Sequence, residues 1–193
     1  MCLSRFYPDE YAPSVFAIDY QKLFDLGYRG LLFDIDNTLV HHGDDGTPET
    51  DALLRRIESI GLRVLMLSNN DDARIRRFLK NLPGVPFVSM AGKPKKQGYL
   101  KALEVLGIDR AQAVVIGDQV FTDIFGANRC NIAGILVRFI HPDPAAPIGK
   151  RRRAEQLVLR LWQKNERKHR RLHAVRNEGE TKAHEADETE TVL

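Results

Sequence analysis

The sequence predicts an α/β fold: a five-stranded parallel sheet with helices on both faces. Three observations lead to it. Five short segments are nearly continuous in apolar residues, as strands covered on both faces must be. Amphipathic stretches of helical length alternate with them, which implies right-handed crossovers and a parallel sheet. The 193 residues, 43% of them apolar, suffice for one ordinary core.

The first strand is GLLFDI (30–35), followed by the helix TDALLRRIESI. LRVLMLS (62–68) leads into DDARIRRFLKNL, and VPFVSM (85–90) into QGYLKALEVLGI. AVVIGD (113–118) leads into FTDIFGANRC, and GILVRF (134–139) closes the sheet. Several of the helices are closed by Gly, a common C-terminal stop. No segment approaches the roughly 18 apolar residues that span a bilayer. MCLSRFYPDEY has neither the basic start nor the apolar stretch of an export signal. Cys2 and Cys130 read as free thiols, and the expected location is cytoplasmic, at most peripheral to a membrane.

Charge divides the chain further. Residues 1–147 carry 17 Lys and Arg against 18 Asp and Glu, residues 148–176 carry 11 against 2, and residues 177–193 carry 1 against 6. The expected organisation is therefore a near-neutral body (1–147), a basic amphipathic helix (148–176) and an acidic disordered tail (177–193).

A parallel sheet binds its ligands beyond the carboxyl ends of its strands, and the polar residues fall there. Asp34 and Asp36 close the first strand, Ser68, Asn69 and Asn70 the second, and Asp118 the fourth, with Asp123 five positions on. Lys93 follows the third strand. Carboxylates gathered on one rim repel one another unless a cation relieves them, and hard oxygen donors suit Mg²⁺.

These residues resemble the haloacid dehalogenase-like phosphatases. Asp34-Ile35-Asp36-Asn37-Thr38 matches the DxDxT signature, Ser68 the small hydroxyl residue, Lys93 the basic residue, and Gly117-Asp118 through Asp123 the GDxxxxD signature, all in the family's order. The similarity covers roughly residues 28–140. With DNTLV, LSNN, GKP and GDQVFTDIFGANR, the wording looks closest to the YqeG branch of subfamily IIIA, a branch similar to phosphatidylglycerophosphate phosphatases.

Singly, each element has a plainer meaning. LLFDIDNTLV is not an EF-hand loop, because Leu39 stands where Gly is needed, and no GxxxxGK[ST] accompanies it as a Walker-B strand would require. Ser68 alone would be a capping hydroxyl, Lys93 a solvated charge and Asp123 a helix-start carboxylate. The ordered set decides for phosphoryl transfer.

The resemblance implies a Rossmann-like fold in which Asp34 is the nucleophile that forms an aspartyl phosphate and Asp36 is the general acid and base. Mg²⁺ would be held by Asp34, Asp118 and the backbone carbonyl of Asp36; Ser68, Asn69 and Lys93 would bind the phosphate. Thr38 would fix the loop, and Asp123 would act on the metal indirectly or orient Lys93. Thr38 and Ser68 are 30 positions apart and Ser68 and Lys93 are 25 apart, which leaves no room for a cap domain. A large or surface-embedded phosphorylated substrate could reach such a rim.

In the basic arm, Ala154, Leu157, Val158, Leu161 and Trp162 form an apolar stripe at helical spacing. The stripe either packs on the body or lies on an anionic membrane through residues 150–172; nucleic acid is a further partner for so many cations. The function classes left open are a lipid phosphatase, the same chemistry on another large phosphomonoester such as a nucleic-acid end or phosphoprotein, and a binding module that keeps the site without turnover.

Overall fold

The computed structural model describes residues 3–140 and 149–164, together with Leu172 and Val175. Cys2, the proposed boundary at 147 and the acidic tail 177–193 lie outside the described residues.

The chain builds one parallel sheet of six strands in the order β1-β6-β5-β2-β3-β4. The strands are β1 (Glu10–Ala12), β2 (Gly30–Phe33), β3 (Arg63–Leu67), β4 (Phe87–Val88), β5 (Ala113–Gly117) and β6 (Ala133–Val137). The sixth strand corrects the expected five: β1 pairs with β6 through Glu10↔Ile135 to Ala12↔Val137. Three residues that include Glu10 and Tyr11 are too short and too polar to announce a strand by pattern alone.

Helices follow as α1 (Tyr20–Asp25), α2 (Pro48–Ile60), α3 (Asp72–Phe78), α4 (Lys96–Leu106), α5 (Phe125–Cys130) and α6 (Lys150–Gln163). Local chemistry sets their ends. Thr47 caps α2, accepting from the Thr50 N–H at 3.2 Å, with Pro48 at the first position and Gly61 closing the helix at φ 101°. The helix expected over 121–130 starts instead as a π-turn, Val120–Ile124, before α5.

Side chains alternate across the sheet. Leu31, Phe33, Val64, Met66, Val114 and Ile116 face Leu23, Leu54, Ile57, Ile75 and Phe78, which come from the first three helices. Leu32, Leu65, Leu67, Ala113 and Val115 face Tyr99, Ala102, Leu103, Leu106 and Cys130 from α4 and α5. Both faces are thus dry, which is why the strands read as continuous apolar runs. Each fully buried Leu or Phe contributes about 1.5–3 kcal/mol relative to exposure.

The apolar stripe of α6 packs inward. Val158 and Trp162 are buried against Tyr7, Val120, Ile124 and Leu136. Ala154 and Leu157 remain exposed. Beyond α6, Leu172 and Val175 are buried in the main core, and the Val175 carbonyl accepts from the Asp19 N–H at 3.2 Å.

Candidate active site

From β2 the chain runs outward to β3 and β4, then returns to β5 on the other side of β2. Their connections diverge, which makes the carboxyl ends of β2 and β5 the topological switch point of the sheet, where ligands of such folds bind. Asp34 and Asp118 are the first residues past those ends. The Asp34 N–H donates to the Ile116 carbonyl at 2.9 Å. The chain then turns tightly, with Asn37 at φ 61° and the N–H groups of Thr38 and Leu39 on the Ile35 carbonyl.

Asp34, Asp118 and Asp123 are buried, and each offers an oxygen within 4.8 Å of the others. The π-turn delivers Asp123. It can come this close because Gly117 has no side chain: a Cβ there would stand 2.4 Å from Asp123 Cγ. Lys93 Nζ donates to Asp34 Oδ1 and to Asp123 Oδ1, both at 2.7 Å. Burial works against the Lys93 charge, but Asp123 and Asp34 outweigh it and raise the ammonium above the ordinary lysine range. Burial, followed by repulsion from Asp123 and Asp118 against the pull of Lys93, lifts Asp34 to about 7. Burial and Asp123 lift Asp118 to about 6, opposed by Arg152. Three carboxylates beside two cations leave an excess of negative charge, and their oxygens are the hard donors a Mg²⁺ ion favours. The donor set therefore fits the metal.

Of the expected ligands, Asp34 and Asp118 join this cluster, and Asp123, expected only in support, joins it directly. The Asp36 carboxylate, expected as acid and base and not as a ligand, turns elsewhere. It accepts from the Gly43 N–H at 3.0 Å, from Arg74 Nη2 at 2.8 Å and from Asn70 Nδ2. Partial burial pushes Asp36 up, but these donors outweigh it and hold it below the ordinary carboxylate range. Exposed His42 lies 3.6 Å from Asp36. Ser68 is buried at the end of β3, its Oγ accepting from the Asn70 N–H at 3.2 Å. Asn69 grips Lys93: its Oδ1 accepts from the Lys93 N–H at 2.8 Å and its Nδ2 donates to the Lys93 carbonyl at 3.3 Å. That amide orients the lysine's backbone in this structure. Thr38 Oγ1 donates to Asp118 Oδ1 at 3.3 Å, so it ties the first loop to the fourth.

Three further residues belong to the site. Arg152 of α6 donates to the Asp118 carbonyl at 2.7 Å, pairs with Asp118 Oδ2 and is held by Glu155 at 2.9 Å. Arg74 of α3 holds Asp36. In sequence, Arg152 is one cation in a run and Arg74 one on an amphipathic helix; both resemble solvated charge. The inward apolar stripe of α6 was the available hint for Arg152 and Glu155, since a helix packed by Val158 also buries the position three before it.

The profile of the haloacid dehalogenase-like hydrolases matches residues 42–131. The chain is 35% identical over 133 residues to the Probable phosphatase YqeG of Bacillus subtilis, covering 68% of this chain and 77% of that protein. It is 27% identical over 166 residues to the chloroplastic phosphatidylglycerophosphate phosphatase 1 of Chlamydomonas reinhardtii, covering 78% of this chain and 60% of that protein. An uncharacterized protein from Listeria monocytogenes serotype 4b shares the fold, with a TM-score of 0.50 and 19% identity over 70% of this chain and 99% of that one. The 35% identity to the Bacillus subtilis protein across 77% of its length, with a buried acidic cluster and its lysine assembled at the switch point of a parallel sheet, establishes that the chain belongs to the haloacid dehalogenase-like hydrolases and is a phosphatase of that family.

Proposed function

We propose that the chain is a Mg²⁺-dependent phosphomonoesterase that works through an aspartyl phosphate and acts on phosphatidylglycerophosphate or a closely related lipid. The observation that carries the chemistry is the buried Asp34, Asp118 and Asp123 cluster with Lys93 bridging two of its members at 2.7 Å. These three carboxylates would hold the cation, which supplies charge that neutralises the nucleophile and the phosphate. Asp34 attacks phosphorus as the bond to the leaving oxygen breaks, and Asp36 delivers a proton to that oxygen. Asp36 then takes a proton from the water that cleaves the acyl phosphate, which regenerates Asp34 and releases phosphate. Lys93, Ser68 and the neighbouring N–H groups stabilise the phosphate oxygens. Asp36 rests ionised, and the arriving phosphate, itself negative, raises it toward the protonated form.

The lipid reading is supported by the named substrate of the Chlamydomonas relative. It is also supported by the exposed cations Lys150, Arg151, Arg153 and Arg160, carried on the helix whose Arg152 reaches Asp118. Peripheral contact with an anionic membrane through that face would present the headgroup to an uncapped rim. In this reading residues 1–147 form the catalytic body, and the basic segment both completes the site and meets the surface.

The test offers the enzyme phosphatidylglycerophosphate in anionic vesicles, a 5′-phosphorylated oligonucleotide, a phosphopeptide and sugar phosphates, each with Mg²⁺ or chelator. The expected result is Mg²⁺-dependent phosphate release, with kcat/KM for the lipid at least about tenfold above the rest. Labelled phosphate should be trapped on the wild type and not on Asp34→Asn. Turnover by Asp34→Asn would refute the nucleophile, and preference for another substrate would refute the lipid.

A further inference from the structure

Proton transfer needs the Asp36 carboxylate fixed to a fraction of an ångström. Arg74 supplies the charged restraint, beside Asn70 Nδ2 and the Gly43 N–H. Its Nη2 donates both to Asp36 Oδ1 at 2.8 Å and to the Asp44 carbonyl at 2.7 Å. One helical turn on, Arg77 donates from Nε to Asp45 Oδ1 and from Nη2 to the Gly43 carbonyl, both at 2.7 Å. Gly43 completes the ring by donating its N–H to Asp36 Oδ1. The segment 43–45 is thereby fastened between α3 and Asp36, in the place where other architectures would put a cap.

The arginine is not a solvated helix charge. Its side chain is 12% exposed, and its Nε and Nη1 are buried with no partner among the described residues. Leaving such donors unpaired is unfavourable, so simple packing would not select an arginine here; the pairing with Asp36 is what the position gains.

We propose that Arg74 is a positioning residue for proton transfer, fixing the Asp36 carboxylate directly and, together with Arg77, through the 43–45 turn. The proposal rests on Asp36 being the acid and base of the reaction described above. As the Asp34–phosphorus bond forms and the bond to the leaving oxygen breaks, that oxygen gathers negative charge, and a proton from Asp36 neutralises it. An alkoxide requires that proton. A nitrophenolate, stable as an anion, leaves without it.

The experiment therefore compares kcat/KM for p-nitrophenyl phosphate with that for an alkyl phosphomonoester that the wild type turns over. This ratio reports steps up to acyl-phosphate formation, so the later hydrolysis does not blur it. Arg74→Gln should lose roughly a hundredfold on the alkyl ester and less than about threefold on the aryl ester. Arg74→Lys should fall between, and Arg77→Gln should show the same pattern more weakly. Circular dichroism establishes that each variant is folded; should Arg74→Gln not fold, Arg74→Lys carries the comparison. Equal losses on both esters, or none, overturn the proposal. Asp36→Asn is run beside them: if it shows no dependence on the leaving group, it is the acid and base reading of Asp36 that has failed.

Discussion

Asp34 faces opposite demands with and without a cation. Without one, burial raises Asp34 to about 7 and Asp118 to about 6, both above the ordinary aspartate value of 3.8. A folded-state value above the unfolded one means that the stability is present below the unfolded value and is lost as pH rises through the folded one. In chelator, the melting temperature should therefore fall between pH 5 and pH 8. Added Mg²⁺, which needs the ionised forms, should raise it more at pH 8 than at pH 5. Thermal melts at the two pH values check this, and equal increments would contradict it. At this scale the residue identities were legible: Asp34, Ser68, Lys93, Asp118 and Asp123 are brought to one rim, in agreement with their motifs. Their partners were legible only in part. Asp123 beside Lys93 is one of the two arrangements the resemblance implies, whereas the turn of Asp36 to Arg74 depends on a helix face, which spacing does not encode.

At the scale of elements, α6 presents two faces. Its Arg152 grips Asp118, while Lys150, Arg153 and Arg160 are exposed. The arm thus touches the acidic cluster, which its composition did not suggest. Replacing Lys150, Arg153 and Arg160 by Glu should abolish sedimentation with anionic vesicles and leave hydrolysis of a soluble ester within about twofold, each cation near such a surface being worth about 1 kcal/mol. Arg152→Gln should instead lower Mg²⁺ affinity about 10–100-fold, as loss of a partner that orients a metal ligand does. Calorimetric Mg²⁺ titration and vesicle sedimentation separate the two; unchanged affinity in Arg152→Gln would sink the assignment. The long apolar strands announced themselves, because dry faces demand continuous hydrophobicity. Short β1 and α1 did not: β1 exists because β6 offers it an edge, and α1 because Asp19 caps six residues, accepting from the Lys22 N–H.

Across the whole molecule, the later part of the chain enters two of the apolar clusters, Trp162 in one and Leu172 and Val175 in the other. Trp162→Ala should therefore destabilise by about 3–5 kcal/mol, as measured by urea unfolding followed by circular dichroism; a loss below about 1 kcal/mol would show that α6 is only loosely seated. That the stripe packs on the body was one of the readings its spacing allowed; its partners were illegible, since only a folded sheet brings Trp162 to Tyr7. The pairing of Arg152 with Asp118 has a consequence for biogenesis. A ribosome releases Asp34, Asp118 and Asp123 before Arg152, so the three carboxylates leave the exit tunnel ahead of one of their two counter-charges, and Asp118 gains its guanidinium partner only when α6 arrives.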